Sequence, residues 1–298
     1  MHFFVKIDLE EQDMETIKFY NGVVAPTLAY GTWLIKDSDA ANCVKLALKH
    51  GYRHIDTAQA YGNEVGVEKG IKESGLKREE IFVTTKVQAE HKTYEKAKAS
   101  IDESLEKLGL DYIDLILIHC PQPWAEFRGK KRYFRENIEV WKALEDAYKE
   151  GKVRAIGVSN FLIDDLENII DNCEIKPMAN QILLHIGNTP LDVVKFCQEN
   201  DIVVEAYSPI AHGAALKDKK IKEYAEKYHV SVPQLCIKYT LQLNTISIPK
   251  ASSEEHIKAN TELDFEISEE DMNVLLKLND INYGLDGWWP VFRKKNRG

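Results

Sequence analysis

The chain has 298 residues, 44% of them hydrophobic, and a formal net charge of −9. That length is ample for one large core, so 1–298 is expected to form a single domain. The acid excess is spread along the chain and repels phosphate backbones and anionic lipid, which argues against nucleic-acid and membrane partners.

Taken from the N-terminus, MHFFVKIDLEEQDMETIKF carries several acids and lacks a small-residue cleavage site after an apolar segment. It does not read as a secretory signal or transit peptide. Segments 16–20 and 23–26 flank Asn21-Gly22, a hairpin signal, and are predicted to plug the bottom of a barrel. Brief apolar runs bounded by Gly, Pro or polar residues predict strands at 28–33, 53–56, 81–86, 113–119, 153–158, 179–183, 203–207 and 245–249. Between them, three-to-four-residue periodicity predicts helices, for instance at 40–50, 65–74, 94–108 and 137–150. Two helical patterns, 221–229 and 232–243, lie between strands seven and eight, so one is an insertion. A further helix over 268–278 opens on Ser268 and leads into an aromatic tail. Eight strands alternating with helices close most naturally into a (β/α)8 TIM barrel.

The longest apolar run, 113–120, is broken by Asp114 and His119 and is too short to span a bilayer. Five cysteines, Cys43, Cys120, Cys173, Cys197 and Cys236, form no CxxC pair. They read as reduced, mostly buried thiols of a cytoplasmic protein rather than a disulfide framework or a zinc site.

In such a barrel, catalytic groups project from the C-terminal ends of the strands. Those ends hold Asp56 with Tyr61 close behind, then Lys86, then His119. Singly, each is more often a rim charge or a hydrogen-bonded core residue. Together they make chemical sense. A tyrosine with a pKa of about 10 is a poor acid. An adjacent ammonium lowers that pKa, and a carboxylate keeps the ammonium charged despite burial. His119 can fix a substrate oxygen. The set protonates an alkoxide and supplies no hydride, so a cofactor must.

GYRHIDTAQAYGNE, FVTTKV, LILIHCP, GKVRAIGVSNF, EAYSPI and IPKASSEEHIKAN together resemble the aldo-keto reductase superfamily, from about Thr16 to the C-terminus. CPQP and the compact tail are most similar to microbial reductases related to 2,5-diketo-gluconate reductase. The resemblance implies reduction of aldehydes or ketones by nicotinamide hydride, with Asp56, Tyr61, Lys86 and His119 as a tetrad and Tyr61 as general acid. No GxGxxG follows a strand, and Gly62, Gly66 and Gly70 read as close helix packing. By resemblance the cofactor lies across the barrel mouth beside Thr32, Trp33 and Asp56. Ser159, Asn160 and Gln181 take the carboxamide, Tyr207 stacks beneath the ring, and Ser208, Pro209 and Ile210 lie on the pyrophosphate loop. Lys250, Ser252 and Ser253 take an adenosine 2′-phosphate, and Asn260 contacts adenine. His256 stands where many relatives have arginine, so NADPH is expected with NADH still usable.

The substrate border is expected at Trp33, Tyr61, Gln88, His119, Cys120 and Trp124, with Trp288 and Trp289 as a lid or as tail packing. The partner is then a small carbonyl compound, with no obligate protein partner evident. A non-catalytic cofactor-binding barrel is the alternative, which the intact tetrad argues against. A metal hydrolase on His50 and His54 lacks a third ligand, and GxSxG is absent.

Overall fold

The computed structural model describes residues 15–278 and 281–296. Most of the N-terminal stretch read above against a targeting signal, residues 1–14, lies outside them.

Strands β1 (Thr16–Lys18) and β2 (Val24–Pro26) pair antiparallel, with Lys18 opposite Val24. Gly22 takes φ 94° and donates its N–H to Phe19 O at 2.9 Å, while Phe19 N–H reaches Val23 O at 2.8 Å. This is a β-turn closed by a left-handed glycine, one residue longer than the two-residue turn Asn-Gly often makes. The hairpin lies across the N-terminal ends of the barrel strands. Phe19 meets Phe82 edge-on, and Asn21 donates to Arg154 O at 3.0 Å.

Eight parallel strands follow: β3 (Tyr30–Gly31), β4 (His54–Asp56), β5 (Phe82–Val87), β6 (Ile113–Ile118), β7 (Val153–Ser159), β8 (Ala179–Leu183), β9 (Val203–Tyr207) and β10 (Ile246–Ile248), hydrogen-bonded in that order. Closure comes from the first predicted strand, whose ladder is shorter than 28–33. Leu28 bridges Ser247, Ala29 N–H donates to Ser247 O at 2.8 Å, and Gly31 N–H donates to Pro249 O at 2.9 Å. The segment is shared between two neighbours, which leaves only two residues in regular pairing with β4.

Helices α1 (Asp37–Lys49), α2 (Glu64–Ser74), α3 (Tyr94–Leu108), α4 (Phe134–Lys149), α5 (Ile163–Ile170) and α6 (Leu191–Glu199) follow the strands in turn. Both α7 (Lys219–Lys227) and α8 (Val232–Gln242) lie between β9 and β10, so the insertion is present. After β10 come α9 (Glu254–Ala259) and α10 (Glu269–Leu275), then short 3-10 turns in the tail.

The glycine spacing in α2 is a packing device. A Cβ on Gly66 would sit 2.3 Å from Asp37 O, and one on Gly70 would sit 2.7 Å from Ala41 O. The two helices therefore approach as closely as their backbones allow. Asp114, which breaks the longest apolar run, is fully buried at the start of β6. It accepts from Arg78 at 2.5 Å, Arg154 at 2.7 Å and Val83 N–H at 2.9 Å. His54 is likewise structural. Its ring nitrogens contact Pro26 O and Thr84 Oγ1, and burial pushes its pKa down to about 3. Among the described residues no helix is long and apolar enough to cross a membrane.

Candidate active site

Alternation along a strand sends every second side chain inward. This carries Asp56 from β4 and Lys86 from β5 into the upper barrel, and a 3-10 turn (Gln59–Tyr61) brings Tyr61 over them. Lys86 is fully buried. Its Nζ donates to Asp56 Oδ1 at 2.8 Å, Asp56 Oδ2 at 2.9 Å, Thr57 O at 2.8 Å and Tyr61 Oη at 3.3 Å. The His119 ring, just past β6, stands edge-on to Tyr61 at 5.6 Å between centroids and to Trp124 at 5.2 Å. The four residues expected to converge do meet, within hydrogen-bond or ring contact of one another.

The electrostatics divide into two effects. Burial pushes Lys86 toward its neutral form, but Asp56 and Tyr61 outweigh it and hold the ammonium above its ordinary range. Burial also raises Tyr61, and there the Lys86 contribution, though downward as expected, does not win; the phenol lies above its usual value. Neighbouring charge alone, the effect legible in the sequence, leaves out the desolvation of the ring. A phenol held this way is fully protonated at neutral pH and surrenders its proton only to a strong base such as an alkoxide. Burial, then Lys86 and Lys92, hold His119 well below its ordinary pKa, so it is a neutral imidazole. Its buried Nδ1 has no hydrogen-bond partner among the described residues.

The expected carboxamide grip is a connected set. Gln181 Nε2 donates to Asp56 Oδ2 and to Glu205 Oε2, each at 2.8 Å, which uses both its hydrogens and leaves Oε1 as an acceptor. Asn160 Nδ2 donates to His119 O and Ser159 Oγ at 3.1 Å, Ser159 Oγ donates to Gln181 O at 2.9 Å, and Tyr207 Oη donates to Asn160 Oδ1 at 2.7 Å. Asn160 and Ser208 are left-handed, at φ 62° and 53°, where β7 and β9 end. Side chains other than glycine hold such angles only when their surroundings impose them, and such positions cluster at functional sites.

Thr32 is fully buried and donates to Asp56 O at 3.0 Å. Pro209 is buried, Ser208 and Ile210 half-buried. Farther round the mouth, Lys250, Ser252, Ser253 and His256 are exposed. Lys250 Nζ donates to Ser252 Oγ at 2.9 Å, and Ser253 Oγ caps α9 by accepting from His256 N–H. Glu254, at the start of α9, pairs with Lys49 at 2.8 Å and lies 2.9 Å from His50. Asn260 is buried, with Tyr52 as a hydrogen-bond partner.

Of the residues expected at the substrate border, Gln88 and Trp124 are half-buried, while Cys120 turns into a small cluster with Ala89 and Phe127. Burial pushes its thiol up to about 12, which makes it an inert wall rather than a nucleophile. The tail crosses the mouth. Trp289 meets Trp33 edge-on at 5.5 Å, Phe292 stacks on His212 at 5.5 Å, and His212 Nδ1 lies 2.7 Å from Asp286. Trp288 is 61% exposed and stacks on Trp289 at 4.4 Å.

Sequence reasoning passed over Glu205, Lys92 and Arg128. Glu205 had a signal, an ionisable residue at the centre of VVEAY. Lys92, buried and donating to Cys120 O at 2.7 Å, and Arg128 had none, since both lie in polar loops.

A parallel barrel with an acid, an ammonium, a phenol and an imidazole at one mouth is the architecture of a carbonyl reductase. Residues 27–280 match the Aldo/keto reductase family, and the chain belongs to it, as a nicotinamide-dependent oxidoreductase of carbonyl groups. It is 43% identical over 267 residues to glyoxal reductase of Bacillus subtilis, covering 89% of this chain and 93% of that protein. The aldo/keto reductase of Brucella melitensis superposes with a TM-score of 0.83 at 40% identity, over 89% of this chain and 100% of that one. The Bombyx mori aldo-keto reductase, solved in complex with NADP, superposes at 0.80 with 32% identity, over 93% and 98% of the two chains.

Proposed function

We propose that Tyr61 is the proton donor of this reductase, tuned by Lys86 and Asp56, with neutral His119 orienting the substrate carbonyl. The observation that carries this reading is the Lys86 ammonium, sealed from water and shared between the Asp56 carboxylate at 2.8 Å and the Tyr61 hydroxyl at 3.3 Å. As negative charge grows on the substrate oxygen, Tyr61 gives up its proton, and Lys86 stabilises the charge left on the phenol oxygen. Asp56 keeps Lys86 charged throughout. His119, held neutral by burial and the nearby ammonium groups, acts by hydrogen bonding and positioning.

When bound, the reduced nicotinamide supplies the hydride. The donor set fits that group. Gln181 Oε1, the Ser159 hydroxyl and Asn160 can hold a carboxamide, with Tyr207 against the ring and Thr32, Trp33 and Asp56 beside it. Ser208, Pro209 and Ile210 would carry the pyrophosphate, and Asn260 the adenine edge. Lys250, Ser252, Ser253 and His256 form a cationic and hydroxyl-rich seat for a 2′-phosphate, which supports NADPH over NADH.

Trp33, Tyr61, His119, Cys120, Trp124 and Trp288 are the proposed substrate wall, closed on one side by Trp289. An aromatic mouth suits small aldehydes and α-dicarbonyls, and the name of the Bacillus relative makes glyoxal the first compound to test. Five unpaired cysteines, four of them buried, support a reducing, cytoplasmic setting. The tetrad is drawn from one chain, so no partner protein is needed to complete it. The test is cofactor oxidation across a carbonyl panel with NADPH and NADH. The reading expects turnover of aldehydes and α-dicarbonyls with NADPH favoured; cofactor binding without turnover of any carbonyl would overturn it.

A further inference from the structure

The middle of β9 carries a charge-bearing side chain that the reductase chemistry does not use. Glu205 has no solvent exposure, and its Oε2 accepts from Gln181 Nε2 at 2.8 Å. Its Oε1 has no hydrogen-bond partner among the described residues. The same Gln181 nitrogen donates to Asp56 Oδ2 at 2.8 Å, so two carboxyl groups are linked through one amide. They are unequally placed. Asp56 has the Lys86 ammonium against both its oxygens, at 2.8 and 2.9 Å, while Glu205 has the amide alone within hydrogen-bond distance.

The groups facing Glu205 come from every side of the barrel. Its flanking strands present Gln181 from β8 and Ile246 from β10 at its own level, neither of them charged. Across the interior stand Asp56 on β4 and Lys86 on β5, and two residues on is Tyr207. One cation thus serves two acids in a medium that solvates neither. The second carboxylate to form would meet the first across a single amide.

We propose that Glu205 is a positioning residue of the reductase, holding the Gln181 amide toward Asp56 as a neutral acid and weakening the proton donor when it carries a charge. The inference rests on the reading of Tyr61, Lys86 and Asp56 as the acid and its tuning pair. Burial first, then the Asp56 charge, push the Glu205 carboxyl up to about 8, against the opposing help of Gln181 and Lys86. An ionised Glu205 places a second negative charge beside the Asp56–Lys86 pair. That charge opposes the negative charge that must develop on the Tyr61 oxygen as its proton leaves. It also pulls the Gln181 amide away from Asp56. Reduction should therefore slow as Glu205 titrates, while Tyr61 is still protonated.

The test is single-turnover oxidation of NADPH by the full chain with saturating aldehyde, from about pH 6 to about pH 10. Wild type, Glu205→Gln and Glu205→Leu are compared, with thermal midpoints recorded at each pH and Tyr61→Phe run beside them. Wild type should fall by up to about tenfold between its neutral plateau and one pH unit above the Glu205 titration, where about nine-tenths of that acid is ionised. Glu205→Gln, which keeps the shape and an acceptor but has no proton to lose, should run a few-fold slower at neutral pH and lack that alkaline step. If the amide variant does not fold, Glu205→Leu carries the same expectation for the step. Superimposable pH profiles for wild type and variant would overturn the proposal. So would an equal loss at every pH accompanied by a lower thermal midpoint, which is the mark of packing alone. Wild-type turnover in Tyr61→Phe would instead show that the acid itself has been misassigned.

Discussion

Lys86 lies between the Asp56 carboxylate and the Tyr61 hydroxyl, and that place predicts how its loss differs from other losses. Lys86→Met keeps most of the length of the side chain but strands Asp56, buried with Gln181 as its remaining side-chain hydrogen-bond partner among the described residues. Removing one partner of a buried ion pair costs about 3–5 kcal/mol, so the thermal midpoint should drop along with the rate. Calorimetry and turnover on the same preparation check this; an unchanged midpoint would mean that water reaches Asp56. Glu205 gives a second prediction at this scale, with the opposite sense. Its carboxyl is raised from 4.5 to about 8 by burial, so between those values the folded chain binds more protons than the unfolded one. Stability then falls as pH rises through that window, by up to about 1.4 kcal/mol per pH unit, and levels off above it. Denaturant unfolding at about pH 5 and about pH 8 should show this decline shrinking in Glu205→Gln; an identical decline in both would assign it to other groups.

At the scale of elements, the close approach of α1 and α2 holds the loop that carries Tyr61. Alanine is normally the better helix former by about 1 kcal/mol. At position 66 its Cβ would fall 2.3 Å from Asp37 O and 2.9 Å from Ala40 Cβ. Gly66→Ala should therefore destabilise by about 1–3 kcal/mol, the usual cost of overpacking, and a stabilised variant would refute the packing role. The tail makes the complementary case. Trp289 meets Trp33 while Phe292 stacks on His212 in the loop after β9, so the tail touches both the proposed substrate wall and the loop proposed to carry the pyrophosphate. Trp289→Ala should raise KM for bulky aldehydes more than for glyoxal and leave NADPH affinity within about twofold, because its ring packs against the proposed substrate wall. Equal changes for every substrate would reduce the tail to packing.

The whole molecule was legible to different depths. The alternation of apolar runs with helical periods gave eight strands and the order of the helices, because buried parallel strands must be nearly all apolar. The first strand was overestimated, since its residues divide their hydrogen bonds between β4 and β10 and only barrel closure reveals that. The convergence of Asp56, Tyr61, Lys86 and His119 was readable because Asp56, Lys86 and His119 stand where strand runs end and Tyr61 follows Asp56 on the next loop. The Asp56–Gln181–Glu205 link was not, because it joins strands far apart in sequence and depends on which way one amide faces. Nor was the net rise of the Tyr61 pKa, which needs the burial of the ring as well as the charge of its neighbour.

In the proposed reaction the barrel mouth reduces carbonyl groups with a proton from Tyr61, and Tyr61→Phe separates that role from packing. The substitution removes one oxygen and leaves the ring against His119, so folding and NADPH binding should be preserved. We expect NADPH affinity within about twofold of wild type and single-turnover reduction slowed by about 10²–10⁴-fold, the span that general acid catalysis contributes. A variant that binds NADPH and reduces aldehydes at the wild-type rate would show that the proton does not come from Tyr61.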